Sequence, residues 1–202
     1  MDARSLAILI PAAGLSRRLG GRDKLLEPVG GQPARTRAAR LAVATGAQTM
    51  VTLAGDGPYS AGRRFALAGL GCAILTVKDA GEGISASLRA GVRHAENLHI
   101  QGLMILLPDM PEVTAADIGQ LIATFALAPA RVLRAASLKG QLGYPVILPA
   151  RLMPELNLLS GDEGAEKILL GEPISLCPLP GDHALTDLDT AEDWARWSAR
   201  AP

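Results

Sequence analysis

The chain shows its architecture in LAILIPAAGLSRRLGGRDK, Leu6 to Lys24. An unbroken apolar run, Leu6 to Ile10, is stopped by Pro11 and a glycine-rich stretch, as in a short strand buried on both faces of a parallel sheet. In the segment after it, Gly14, Gly20 and Gly21 let the backbone approach a ligand closely, and Arg17, Arg18, Arg22 and Lys24 supply cations. Backbone N–H groups beside fixed cations make a cradle for a polyphosphate. The spacing fits neither GxxxxGK[ST] nor GxGxxG, and on composition alone a solvated turn with surface arginines is an equal reading.

Outward from this stretch the same strand pattern recurs at Thr49–Leu53, Ala73–Val77 and Leu103–Leu107. Between the runs lie Ala34–Thr45, Ala61–Leu70 and Ile84–Glu96, rich in the helix formers Ala, Arg and Leu. Thr114 with Asp117, and Thr190 with Asp193, have capping-box spacing, so helices are predicted to start at both places. Arg131–Ala135 and Tyr144–Leu148 read as further strands, Ala150–Leu156 and Glu163–Leu170 as short helices, and Ile174–Cys177 as an edge strand. Trp194 and Trp197, three apart on the last helix, read as packing residues. Strands alternating with helices predict an α/β fold, a mostly parallel, mixed sheet covered on both faces in three α/β/α layers. With 202 residues, residues 1–202 are expected to form one domain. Ligands of such sheets bind beyond the carboxyl ends of the strands, so chemistry is sought in the loops that follow them.

Bulk properties narrow the partners. Hydrophobic residues make up 49% and charged residues 20% of the chain, which excludes the disordered class. Twenty basic residues balance twenty acidic ones, so no overall field draws nucleic acid or an anionic membrane. The apolar run at the start is too short for a signal segment or a membrane span, and Cys72 and Cys177 lack zinc-site spacing, which together predict a cytoplasmic protein with reduced thiols. His94, His99 and His183 fall in no triad or metal spacing.

Leu107-Pro108-Asp109-Met110-Pro111 follows the most apolar strand, and prolines on both sides stiffen the backbone around Asp109. A carboxylate fixed there suits a divalent cation, and magnesium needs one or two carboxylates besides phosphate oxygens and water. The competing reading is a helix-entry aspartate ahead of Thr114. Asp187 and Asp189, spaced by two, point to one side of an extended segment, and either could complete a metal site. Gly83 and Ser85 stand where a helix opens, placed either for an anion or base edge or for plain capping.

The order Ala12-Ala13-Gly14-x-Ser16-x-Arg18-x-Gly20, then Lys24, resembles the nucleotide-binding signature of the molybdenum cofactor nucleotidyltransferases and their sugar-nucleotide relatives. Pro11 replaces the family's leucine. The Leu107–Pro111 loop resembles the family's metal loop, Asp187 to Asp193 its acidic segment with Ala191 in place of proline, and Gly161-Asp162-Glu163-Gly164-Ala165 the segment before its acceptor-facing helix. Gly143-Tyr144-Pro145 stands where the family has Gly-His-Pro, and tyrosine does not titrate near neutral pH as histidine does.

The resemblance implies a Rossmann-like fold of the nucleotide-diphospho-sugar transferase type and a magnesium-dependent transfer of a nucleoside monophosphate to a phosphorylated acceptor. It implies Arg18, Lys24 and Asp109 as catalytic groups, and Ala12, Ala13, Gly14, Ser16, Arg18, Lys24, Gly83, Ser85 and Pro108 at the nucleotide. Asp109, Asp187 and Asp189 would serve the metal, and Tyr144 and Asp162 the acceptor. Ala13 in Ala-Ala-Gly favours CTP, with a molybdopterin-type acceptor and a molybdoenzyme or its chaperone as protein partner. An NAD(P)-dependent oxidoreductase and a non-catalytic cofactor-binding module are the rival classes. The reading requires Lys24 and Asp109 to face each other at one end of the sheet.

Overall fold

A computed structural model describes residues 5–14, 23–56 and 59–200. Its strands are β1 (Leu6–Pro11), β2 (Pro28–Val29), β3 (Gln32–Pro33), β4 (Gln48–Ala54), β5 (Ala73–Val77), β6 (Gly102–Ile105), β7 (Val132–Ser137), β8 (Leu142–Pro149) and β9 (Ile174–Leu179). Its helices are α1 (Ala34–Ala44), α2 (Ser60–Phe65), α3 (Ile84–Ala95), α4 (Ala115–Leu127), α5 (Met153–Leu156) and α6 (Ala191–Arg200). Among the described residues, seven strands form one sheet in the order β5-β4-β1-β6-β8-β7-β9, and β2 and β3 make a separate small hairpin.

The β1, β4, β5 and β6 strands are parallel; β8 runs antiparallel to both β6 and β7, and β9 pairs parallel with β7 at the edge. The sheet is therefore mixed, as the strand–helix alternation predicts. Leu6 to Ile10 are fully buried because β1 is central and flanked on both faces. On one face Ile8 and Ile10 meet Ala38, Ala39 and Ala42 of α1 and Ile118, Leu121 and Phe125 of α4. On the other, Ala7 and Leu9 meet Leu88, Val92 and Ala95 of α3 and Leu156 of α5. Three layers result. Among the described residues no helix is long and apolar enough to cross a membrane.

Both capping boxes form: Thr114 with Asp117 starts α4, and Thr190 with Asp193 starts α6. Three expected elements are shorter than the sequence predicts. The α2 helix stops at Phe65 and continues only as turns towards Gly69 and Gly71, both in the left-handed region. Glu163–Leu170 yields a three-residue 3-10 turn, Ala165–Lys167, because residues 160–164 are drawn towards the start of α3. The β6 strand ends at Ile105, where β8 stops pairing with it.

From β1 the chain crosses to β4 and β5 on one side and returns to β6 on the other. The carboxyl ends of β1 and β6 thus flank the point at which the winding reverses, where an open sheet offers a crevice.

Candidate functional site

The first wall of the crevice is the exit from β1. Ala12 donates its N–H to the Thr52 carbonyl at 3.2 Å, and both Ala12 and Ala13 are buried. Ala13 packs among Val77, Ala86 and Ala90, so β1 meets the start of α3 through small side chains. Gly14 is exposed. Ser16, Arg18 and Gly20 lie outside the described residues.

The chain re-enters at Asp23 in a tight turn: Leu26 N–H donates to the Asp23 carbonyl at 2.9 Å and Leu25 N–H to its Oδ1 at 3.1 Å. Lys24 is the second residue of that turn. Arg63 of α2 holds the turn from below, donating from Nε to Asp23 Oδ2 at 2.7 Å and from Nη2 to Oδ1 at 2.6 Å. Its Nη1 donates to the Ala12 carbonyl at 2.9 Å, so one buried guanidinium joins the two described ends of the segment between β1 and Lys24. Such a planar fork on a carboxylate fixes geometry as well as charge.

The second wall follows β6. The Lys24 ammonium donates to Asp109 Oδ2 at 2.6 Å and to Asp189 Oδ1 at 2.7 Å, so the two groups that had to face each other do. Burial works against the charge on Lys24, but Asp109 and Asp189 outweigh it and raise its pKa above the ordinary lysine value. Leu188 N–H donates to the Asp109 carbonyl at 3.0 Å, which sews the late acidic segment onto the β6 loop. Leu188 itself is buried against Val29, Ala34 and Trp194, and the Trp194 indole donates to its carbonyl at 3.1 Å. Asp187 and Asp189, on either side of this anchor, are carried to Asp109. Asp187 shows the crowding: burial, then the charges of Asp189 and Asp109, push its pKa up.

Asp109 Oδ1 is buried with no hydrogen-bond partner. A buried carboxylate oxygen left open is chemically suited to a hard divalent cation, but Lys24 bonds both Asp109 and Asp189, and among the described residues no three such ligands converge. Pro108 precedes Asp109 at the same edge of the crevice.

The remaining candidates line the α3 side. Gly83 precedes α3 with φ of +123°, and a Cβ there would run into the Gly161 carbonyl and the Asp162 carboxylate. Gly83 and Asp162 are therefore neighbours. Gly83 is the N-cap of α3, with no side-chain cap bond, so Ser85 is not the capping residue. Ser85 is fully buried, its hydroxyl accepting from Arg89 Nη1 at 3.2 Å.

Tyr144 sits on β8, on the face that carries Val146 and Leu148, and its N–H donates to the Ala184 carbonyl at 2.9 Å. That close approach needs Gly143, whose Cβ would overlap the same carbonyl oxygen. The Tyr144 hydroxyl donates to Glu166, and the Arg134 guanidinium lies 5.6 Å from the ring centroid. Burial, then the bond to Glu166, raises the phenol pKa, so Tyr144 is a hydrogen-bond donor at neutral pH.

Sequence reasoning passed over Asp23, Arg63, Arg134 and Glu166. Asp23 adjoins Lys24 and had a local signal, whereas Arg63, Arg134 and Glu166 come from segments far apart in the chain.

Comparison with known proteins agrees with this fold. The solved structure of Rv0371c from Mycobacterium tuberculosis H37Rv superposes with a TM-score of 0.80, at 27% identity over 96% of this chain and 97% of that one. A complex of the same protein with manganese gives a TM-score of 0.79, at 24% identity over 98% of this chain and 100% of that one. The purine catabolism protein PucB of Bacillus subtilis is 30% identical over 58% of this chain and 57% of that protein, so the match spans little more than half its length. The nicotine blue oxidoreductase of Paenarthrobacter nicotinovorans is 29% identical over 92% of each chain. Residues 8–175 match the MobA-like NTP transferase domain; the chain belongs to that family and is a nucleotidyltransferase.

Proposed function

We propose that this MobA-like NTP transferase moves CMP from CTP to a phosphorylated acceptor, molybdopterin carrying molybdenum, in the cytoplasm and with magnesium. The observation that carries the reading is the meeting of Lys24, Asp109 and Asp189 where the sheet's winding reverses. Asp109, with Asp187 or Asp189, would hold the magnesium ion, and the unpartnered Asp109 Oδ1 supports that assignment. The ion supplies neutralisation of charge at the phosphates when bound. A manganese complex of the relative Rv0371c supports a divalent ion in the family.

In the reaction an acceptor phosphate oxygen forms a bond to the α-phosphorus, and the bond from that phosphorus to the bridging oxygen breaks, so pyrophosphate leaves with the electron pair. Little covalent chemistry is asked of the protein; it aligns two anions and offsets developing charge. Lys24 and Arg18 serve the β and γ phosphates. The Ala12–Gly14 backbone and Ser16 flank the triphosphate, Gly83, Ser85 and Pro108 the nucleoside, and Tyr144 and Asp162 the acceptor. Ala13 supports cytidine through the resemblance of Ala12-Ala13-Gly14 to the family's cytidylyl-transferring form. A molybdoenzyme or its chaperone would then receive the product.

A thermal-shift screen of the four NTPs with magnesium, followed by pyrophosphate release from CTP and molybdopterin, tests this. Binding of no NTP would overturn it. A second reading, redox chemistry with NAD(P)H, is favoured by one observation, the nicotine blue oxidoreductase relative matched over 92% of each chain. Spectroscopic titration with NADPH separates the two.

A further inference from the structure

Arg35, the second residue of α1, is fully buried, and its Nε, Nη1 and Nη2 have no hydrogen-bond partner. The nearest carboxylate oxygen, Asp23 Oδ2, is 3.9 Å from its Nη1, and both oxygens of that carboxylate already receive bonds from Arg63. Burial lowers the Arg35 pKa to about 10, with Asp23 opposing the fall and Arg63 adding to it, so the group stays charged at neutral pH. Among the described residues, two buried guanidinium groups thus share one buried carboxylate. A buried cation with unpaired donors is strongly unfavourable, and a fold that keeps one needs a compensating anion in some state.

The contacts lead from Arg35 through Asp23 and Arg63 to the Ala12 carbonyl at the exit of β1. Residues 15–22, LSRRLGGR, add arginines and no acidic side chain, so their sequence supplies no counter-charge. Resting on the nucleotidyltransferase reading, we propose that the counter-charge of Arg35 is the substrate's polyphosphate, which the buried cation attracts through the core without touching it. As a general scale, a buried unit charge about 10 Å from a ligand charge, at an effective dielectric constant near 20, changes binding by about tenfold. Replacing Arg35 with an apolar side chain removes the buried cation and leaves the Asp23–Arg63 fork in place. Stability and binding then move in opposite directions.

The test compares wild type, Arg35→Met and Arg35→Lys for thermal midpoint without ligand and for affinity towards magnesium CTP and inorganic tripolyphosphate. The Met variant is expected to melt at or above the wild-type temperature and to bind both ligands at least tenfold more weakly. The Lys variant keeps the charge and is expected to bind within about threefold of wild type. Where Met does not fold, Arg35→Gln carries the same expectation of lost affinity. Unchanged affinity in a folded Met or Gln variant, or an equal loss in Lys, overturns the proposal while leaving the functional reading intact. A wild type that binds neither CTP, any other NTP nor tripolyphosphate overturns both.

Discussion

Arg63→Met tests the support beneath Lys24. The Arg63 side chain is 3% exposed and its partner Asp23 1%, so this is a buried pair with a bidentate fork, not a screened surface contact. Deleting one member of such a pair costs about 3–5 kcal/mol, because the surviving carboxylate keeps its desolvation penalty and loses its compensation. Arg35 stands 3.9 Å away and offsets part of that loss, which favours the lower end, about 3 kcal/mol. For a chain of this size each kcal/mol lowers the melting temperature by about 2–4 °C, so a fall of about 6–12 °C is expected. Urea unfolding should show a lower midpoint with an unchanged slope, as befits lost stability without an altered denatured state. In a cycle with Asp23→Asn, the double variant should be more stable than the sum of the single losses by about 1–3 kcal/mol. A single-variant loss under about 1 kcal/mol, or simple additivity, would refute the claim that this fork holds the turn.

Asp109→Asn should abolish pyrophosphate release while leaving the melting temperature within a few degrees of wild type; full activity in this variant would remove Asp109 from the site. Gly143→Ala should be destabilising by more than about 2 kcal/mol and should weaken acceptor use before NTP binding, because the added methyl overlaps the Ala184 carbonyl that holds Tyr144. Asp193 has its pKa lowered from 3.8 to about 2, first by the Thr190 hydroxyl and backbone and then by Arg196. Its contribution to the α6 cap is therefore present above about pH 4 and is lost as pH falls through 2. Both tryptophans of the chain lie on α6, so their emission should shift in that window, and in Asp193→Asn the shift should already be present at neutral pH.

How much of this was legible in the sequence depended on whether the signal was local. The strand Ala73–Val77 was readable to the residue because a short apolar run rich in β-branched residues, ended by Lys78 and Asp79, has few other uses. Thr114 and Thr190 announced their helices because both halves of a capping box lie within four residues. Glu163–Leu170 was misjudged because its helix formers are overruled by tertiary bonds, with Gly161 accepting from Ser85 N–H at 3.3 Å. In the site, Asp109 and Lys24 could be paired in advance by their places after two strands of one sheet. The second bond of Lys24, to Asp189, could not, since it depends on Leu188 bonding to Asp109 across the chain. Arg63 and Arg35 were illegible for a plainer reason: an arginine in a helix reads as a solvated residue, and nothing nearby in sequence says that it faces inwards.

The strand order sets where the proposed site lies, and loop bonds such as Leu188 to Asp109 complete it. With β5, β4 and β1 on one side of the reversal point, the residues proposed for the nucleotide, Ala12 to Gly14 and Gly83, lie over that half. With β8 and β7 on the other, Tyr144 and the Arg134–Glu166 pair lie over the second half, proposed for the acceptor. Asp109 hangs from β6, the strand between the halves, and Leu188 tethers Asp187 and Asp189 to it. An in-line transfer needs the attacking and leaving oxygens on opposite sides of one phosphorus, with neutralising charge between them. A sheet that sends its first crossovers one way and its later strands the other suits that proposed arrangement. Side chains are left to choose the base, the acceptor and the strength of binding, the roles proposed for Ala13, Tyr144 and Arg35.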